Sequence, residues 1–382
     1  MLDAVALTQD LIRRPSVTPA DAGAMDIVQQ TLEGLGFACR RMRFGEIENL
    51  YARYGTAQPN LCFAGHTDVV PVGDAAAWSS EAFAAAIIDG VLIGRGSVDM
   101  KSGVAAFAAA SAKAIASGQV KGSLSFLITG DEEGIATHGT KMVVQALQAE
   151  GEIIDHCVVG EPSSAETFGD MIKIGRRGSI NVEIVVEGVQ GHVAYPHRAA
   201  NPVPVLIALL HRLSEHELDT GFLGFQPSNL EVTTVDVGNQ TTNVIPATAR
   251  GRLNIRFNPN HTGQALADWI AQEAREALAG FQGNIVVTPS ISGEAFLTEP
   301  GPFTDVVAAA VADITGKGPE LSTTGGTSDA RFIRALCPVV ELGLVGKTMH
   351  AVDERAPVSE IHQLQAVYER LIERYFEAFK AA

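Results

Sequence analysis

The segments LCFAGHTDVVPVGD (61–74) and LIGRGSVDMKSG (92–103) decide how the rest of the chain is read. Leu61–Ala64 is a short apolar run closed by Gly65, the pattern of a buried strand reaching a turn. His66 and Asp68 stand two residues apart, so in extended chain both side chains project to one side. Asp99 follows a second apolar run, Val91–Ile93, in another glycine-rich turn, and Lys101–Gly118 then reads as an alanine-rich helix. A histidine and two aspartates at strand ends begin a metal site, whose remaining ligands must come from elsewhere in the chain.

On the N-terminal side, residues 1–15 and 22–36 carry apolar residues at helical spacing and predict two amphipathic helices, separated by Pro15 and Pro19. Phe37–Arg43 and Leu50–Tyr54 are strand candidates. On the C-terminal side, Ser123–Thr129 is a β-rich run ending in GDEEG (130–134), His138–Gln148 reads as a helix, and Cys157–Val159 is an apolar run ending in Gly160-Glu161-Pro162. Strands alternate with helices and polar residues gather where strands end. This is the α/β pattern, in which ligands sit beyond the carboxyl ends of the strands.

The character changes after about Ile174. Ile180–Glu187 alternates apolar and polar, Pro202–Leu218 reads as a helix, Leu230–Val237 and Ala247–Phe257 as strands, Gly263–Ala279 as a helix and Asn284–Pro289 as a strand. The order βαββαβ is that of a ferredoxin-like α+β unit. The first character then returns: Pro302–Thr315 is helical, TGGTSD (324–329) is a loop before a helix over Asp329–Leu336, Val339–Leu344 is a strand, and Val358–Phe379 is a long amphipathic helix. The expected architecture is therefore a discontinuous α/β catalytic domain, residues 1–176 and 292–382, with a central mixed sheet flanked by helices. It is interrupted by a ferredoxin-like dimerisation or lid domain at 177–291.

With 382 residues the chain exceeds the size at which one core usually stops growing. No apolar run reaches the length of about 18 residues that a membrane span needs. MLDAVALTQDLIRR has no basic segment leading into an apolar core, so no signal peptide is expected and the cytoplasm is the expected compartment. The four cysteines, Cys39, Cys62, Cys157 and Cys337, form no CxxC pair and read as reduced thiols, mostly buried. A net charge of −16 argues against nucleic acid or an anionic membrane as partner and makes a local arginine cluster informative.

The metal-ligand candidates are His66, Asp68, Asp99, Glu132, Glu133, Glu161 and His350. Two imidazoles with several carboxylates suit zinc, cobalt or manganese better than calcium or magnesium. There are more carboxylates than one tetrahedral ion can use, and a shared carboxylate between two ions would accommodate them. Neighbouring side chains diverge in an extended turn, so one of Glu132 and Glu133 can bind metal while the other faces substrate as a general base. Taken alone, DEEG (131–134) reads more readily as a solvated acidic turn.

Taken together, GHTDVVP (65–71), GRGSVDMK (94–101), DEEG (131–134) and GEP (160–162) resemble the co-catalytic zinc amidohydrolase and exopeptidase family, over nearly the whole chain. The resemblance implies two Zn²⁺ per subunit, with Co²⁺ as a possible substitute. It implies that Asp99 bridges them, that His66 and Glu161 complete one and Glu133 and His350 the other. Glu132 would be the general acid/base, Asp68 would orient the His66 imidazole, and the Asp99–Met100 peptide would be cis. GHVAYP (191–196) resembles the inserted-domain motif of the dimeric members, where the histidine, here His192, supports the oxyanion across a homodimer. His138, His156, His197, His211, His216, His261 and His362 have no motif context and read as surface or capping residues, with His197 left open because it follows that motif.

The metal core does not choose a substrate. Arg176, Arg177, Ser179, Tyr195, Asn243, Arg256, Gly326 and Thr327 are the candidates for that. Paired arginines bind carboxylates in bidentate geometry, and RRGS (176–179) in so acidic a chain points to a small-molecule substrate with several carboxylates. RRGS, GGTSDARF (325–332) and TTNVIP (241–246) most resemble the members that remove succinate from N-succinyl-LL-2,6-diaminopimelate, with Asn243 entering from the neighbouring subunit. The chain departs from many members at Gly346, where they carry an asparagine. N-acetylornithine or another N-acyl amino acid is the alternative substrate, and a non-catalytic metal-binding dimer the alternative function.

Overall fold

The computed structural model describes residues 2–380; Met1, expected at the head of the first helix, and Ala381 and Ala382, expected at the end of the catalytic domain, lie outside the described residues. Around Leu61 the apolar run becomes the strand Asn60–His66, buried at every position. It lies between two parallel neighbours, Ser123–Thr129 and His156–Val159. Parallel strands covered on both faces need such continuous apolar runs. Across the 8-stranded sheet the order is Ala38–Phe44, Ile47–Tyr54, Ser123–Thr129, Asn60–His66, His156–Val159, Val339–Glu341, Met171–Lys173 and Glu320–Ser322. The first two form an antiparallel hairpin whose tight turn uses Gly45 at φ +58°.

Helix Lys101–Ala116 packs on this sheet and against Val358–Ala378. Its alanines let it approach closely, and Phe63, Phe107, Phe126 and Tyr368 fill the space between; the Phe63 and Phe107 rings stack with centroids 4.6 Å apart. The first helix spans Ala4–Ile12, capped by Asp3, and ends before Pro15 because a residue preceding proline is pushed out of helical geometry. The expected helix over His138–Gln148 begins instead at Thr140, after Gly139, and the one expected over Asp329–Leu336 is the single turn Ala330–Ile333. Pro338 turns the chain there into the strand Val339–Glu341, which is shorter than expected.

The chain divides into two units. The first takes the chain up to Ile174, Thr298–Ser322 and the chain from Ser328 on; the second takes Gly175–Leu297 and Thr323–Thr327. This division differs from the expected 177–291 by a few residues at each end and adds a short loop that sequence order alone assigns elsewhere.

In the second unit the antiparallel sheet runs Asn229–Asp236, Thr248–Phe257, Gly178–Glu187, Asn284–Gly293, with helices Pro202–Ser214 and Gly263–Ala277. This is the βαββαβ arrangement. Ile180, Val182, Ile184 and Val186 alternate inward onto Leu206, Leu210, Leu266 and Ile270. Glu183, Arg250 and Arg252 pair on the outer face. Pro289 sits in the edge strand, where a missing N–H is tolerated.

Candidate metal centre

Three glycine-flanked strand ends converge in the first unit. Met100 is fully buried, and its side chain occupies the space that a Cβ at Gly65 or Gly160 would need: a Cβ there would lie 2.5 Å and 2.7 Å from the Met100 methyl. A Cβ at Gly103 would lie 2.7 Å from the Gly160 carbonyl. Small residues thus bring together the turns that carry His66, Asp99 and Glu161. The Asp99–Met100 peptide is cis.

Asp99 stands between two imidazoles. Its Oδ1 is 3.2 Å from His66 Nε2 and its Oδ2 is 3.3 Å from His350 Nε2. Glu161 Oε1 lies 3.6 Å from His66 Nε2, and Glu133 Oε1 lies 3.0 Å from His350 Nε2. Two groups that could hold a metal ion result, His66–Asp99–Glu161 and Asp99–Glu133–His350, sharing Asp99. Each offers one imidazole nitrogen and two carboxylate oxygens, a donor set that suits zinc and its neighbours. Among the described residues Glu161 Oε1 has no hydrogen-bond partner although it is buried. A buried acceptor without a donor is costly, and a cation would satisfy it.

Electrostatics follow from this crowding. Hydrogen bonds to Asp99 and Glu133, set against burial, raise the His350 imidazole from 6.5 to about 10. Burial lowers His66, yet Asp99, Glu161 and Asp68 outweigh it and hold the imidazole well above its ordinary value. Burial raises Asp99, but the two imidazoles reverse this and hold its carboxyl low. Glu161 is pushed well up by burial and by Asp99. Glu132, beside but outside both groups, is pushed well up by burial, against the pull of His66 and together with Asp329, Asp99 and Glu133.

Asp68, expected to orient His66, meets that ring through its main chain and not through its carboxylate. The His66 Nδ1 meets the main-chain carbonyl of Asp68 at 2.8 Å, while the carboxylate Oδ1 is 3.6 Å away. In the neutral ring that carbonyl would take the Nδ1 proton and leave Nε2 to a metal. The carboxylate instead accepts from Thr18 Oγ1 at 2.6 Å and from the N–H groups of Glu132 and Glu133 at 3.3 and 3.1 Å. It therefore holds the DEEG turn. Thr18 escapes sequence reading because nothing local marks a threonine fifty residues away.

His192 and all eight substrate candidates lie in the second unit. Arg176 is buried and donates to the Thr324 carbonyl at 2.8 Å; a Cβ at Gly325, where φ is +104°, would strike its guanidinium. Gly326 and Thr327 belong to the same loop. Arg177 reaches Pro227 and Asn229 instead, so the two arginines part rather than forming one clamp, as consecutive residues of extended chain must. Ser179 is the cross-strand partner of Arg256 and accepts from Asn254. Strands Gly191–His192 and Val244–Ile245 pair, and Val193 donates to the Asn243 carbonyl, so His192 and Asn243 are neighbours. Tyr195 is half exposed under the Arg198 guanidinium. Of the histidines read as surface residues, His156 departs: its ring packs between Phe303 and Phe379 and meets the Tyr375 hydroxyl.

The sequence model of peptidase family M20/M25/M40 matches residues 62–374, and the chain belongs to this family. Solved structures share the fold. An M20 family metallo-carboxypeptidase from Sulfolobus solfataricus superposes with TM-score 0.82 at 17% identity, covering 98% of this chain and 99% of that one. A dinuclear metal binding peptidase of Bacillus subtilis gives 0.74 at 15%, covering 98% of each. Among curated relatives, the succinyl-diaminopimelate desuccinylase of Phenylobacterium zucineum is 77% identical over 98% of this chain and 99% of its own length. That of Caulobacter vibrioides is 70% identical over 99% and 97%.

Proposed function

We propose that the protein hydrolyses the amide of N-succinyl-LL-2,6-diaminopimelate to succinate and LL-diaminopimelate, a step of diaminopimelate and lysine synthesis. The observation that carries the hydrolase reading is Asp99 shared between two imidazole–carboxylate groups. The succinyl substrate rests on the relatives of that name, alike over nearly their full length.

His66, Asp99 and Glu161 would hold one divalent cation, and Asp99, Glu133 and His350 a second; zinc is the assignment, with cobalt able to replace it. Bound there, the cations supply Lewis acidity that polarises the amide carbonyl and makes water a better acid. Glu132 takes a proton from the attacking water on its carboxylate and returns it to the departing amine. Burial pushes its carboxyl well up, the direction that favours returning the proton. Asp68 and Thr18 keep the turn that presents it. In a homodimer formed through the second unit, the partner subunit's His192 steadies the oxyanion and the partner subunit's Asn243 contacts substrate. Arg176, Arg177, Ser179, Tyr195, Arg256, Gly326 and Thr327 bind the carboxylates. Free thiols at all four cysteines fit a cytoplasmic setting.

The test compares hydrolysis of N-succinyl-LL-diaminopimelate and N-acetylornithine by protein stripped of metal and reloaded with one and two equivalents of Zn²⁺. Preference for the succinyl substrate is expected. Preference for acetylornithine would keep the metal chemistry and discard the substrate assignment.

A further inference from the structure

A buried ion pair stands behind the metal centre and takes no part in the reaction proposed above. Arg95 and Glu354 are almost wholly buried, with Arg95 Nη1 2.7 Å from Glu354 Oε2. The Glu354 carboxylate also accepts from the main-chain N–H of Gly96 at 3.1 Å, Val98 at 2.9 Å and Asp99 at 3.1 Å. Arg95 Nη2 donates to the carbonyls of Pro71 at 3.2 Å and His350 at 3.4 Å, and its guanidinium lies over the Trp78 ring. Three ligand-bearing loops, those of His66, Asp99 and His350, therefore meet on one ion pair. His350 has φ +61°, a left-handed conformation that a histidine rarely adopts unless its surroundings impose it. Buried ion pairs contribute little net stability against a well-packed apolar replacement, so folding alone is a weak reason for this one.

We infer that Glu354 and Arg95 are positioning residues: Glu354 fixes the main chain of Gly96–Asp99 so that Asp99 faces both imidazoles, and Arg95 fixes the His66 and His350 loops against it. The inference rests on the reading that these groups bind two cations. It differs from that reading in its consequence. Loss of Glu354 loosens the ligand common to both groups, and loss of the Arg95 fork loosens the loops that follow His66 and carry His350, one ligand of each group.

The experiment is calorimetric titration of metal-stripped full-length protein with Co²⁺, together with the visible absorption of the cobalt form. Wild type, Glu354→Gln and Arg95→Lys are compared, with circular dichroism and thermal unfolding as controls. The Glu354→Gln change turns one carboxylate oxygen into an NH₂ that cannot accept, so this variant is expected to bind both equivalents about tenfold or more weakly. Its cobalt band should change, and kcat should fall with KM little altered. Arg95→Lys keeps the charge but not the fork, and is expected to weaken both equivalents, by less than Glu354→Gln because the Glu354 carboxylate still holds the Asp99 main chain. Unchanged cobalt affinity and spectrum in a folded E354Q, with only a lower unfolding temperature, would overturn the inference. Should E354Q not fold, R95K decides: two equivalents bound as in wild type would overturn it equally. A wild type that takes up no cobalt would overturn the cation reading and this inference with it.

Discussion

At the scale of single residues, the proposed centre would separate groups that hold a cation from a group that handles a proton. Glu132 is expected to be indispensable: Glu132→Gln should lower kcat by at least about a thousandfold, the upper range for general acid–base removal combined with a lost proton return, while Co²⁺ stoichiometry stays at wild type. A mutant that kept its cations and most of its activity would remove Glu132 from the mechanism. Thr18→Val removes the hydroxyl that donates to Asp68. It should lower kcat about tenfold, roughly the value of one hydrogen bond to a charged group, and weaken the cation held by Glu133 more than the one held by Glu161. The imidazoles give a pH prediction. His350, raised to about 10, is mainly imidazolium at neutral pH, but a cation needs the neutral ring. Cation binding at neutral pH must therefore expel protons, and affinity must rise as pH rises towards 10. Calorimetry in buffers of different ionisation enthalpy measures the release; none at pH 7 would contradict it.

At the scale of elements, glycine decides how near the ligand turns come to one another. Gly103→Ala places a methyl 2.7 Å from the Gly160 carbonyl, which is main chain and cannot swing away. A loss of about 1–3 kcal/mol is expected from such overpacking, and weaker cation binding through the displaced Glu161 turn; urea unfolding and cobalt titration measure the two. In the second unit, Asp219 organises a loop by accepting from Gly221, Ser228, Asn258 and His261. Burial raises its carboxyl, yet these hydrogen bonds prevail and hold it down to about 2. Because the folded value lies below the unfolded one, its stabilisation is complete above about 3.9 and is lost as pH falls through 2. Asp219→Asn should therefore be less stable than wild type at pH 5, with the gap narrowing towards pH 2 in denaturant unfolding.

At the scale of the whole molecule, the candidate residues are divided between two units. All cation-binding candidates and Glu132 lie in the first, and His192 with every substrate candidate lies in the second. If His192 serves the neighbouring subunit, mixing inactive His192→Ala with inactive Glu132→Gln protein should restore up to about a quarter of wild-type activity, since a random mixture gives half heterodimers with one intact site each. Sedimentation would show the dimer, and a fully active monomer would exclude the cross-subunit role.

The sequence by itself determined the alternation of strands and helices and the βαββαβ insertion, and marked out the candidate metal ligands, because apolar periodicity and short glycine-bounded motifs are local properties of the chain. His66, Asp99, Glu132, Glu133 and Glu161 were legible for that reason: each follows a strand whose end local pattern reveals. Only the tertiary structure decided that the Asp68 carboxylate grips the DEEG turn while its carbonyl grips His66, that Arg176 and Arg177 part, and that Thr18, Arg95 and Glu354 brace the ligand loops. Glu354 stands four residues after His350, a spacing that carries no signal of its own. Such roles depend on which backbone N–H and C=O groups come within hydrogen-bond reach across 50 to 259 residues of chain, and hydrophobic pattern does not encode those distances.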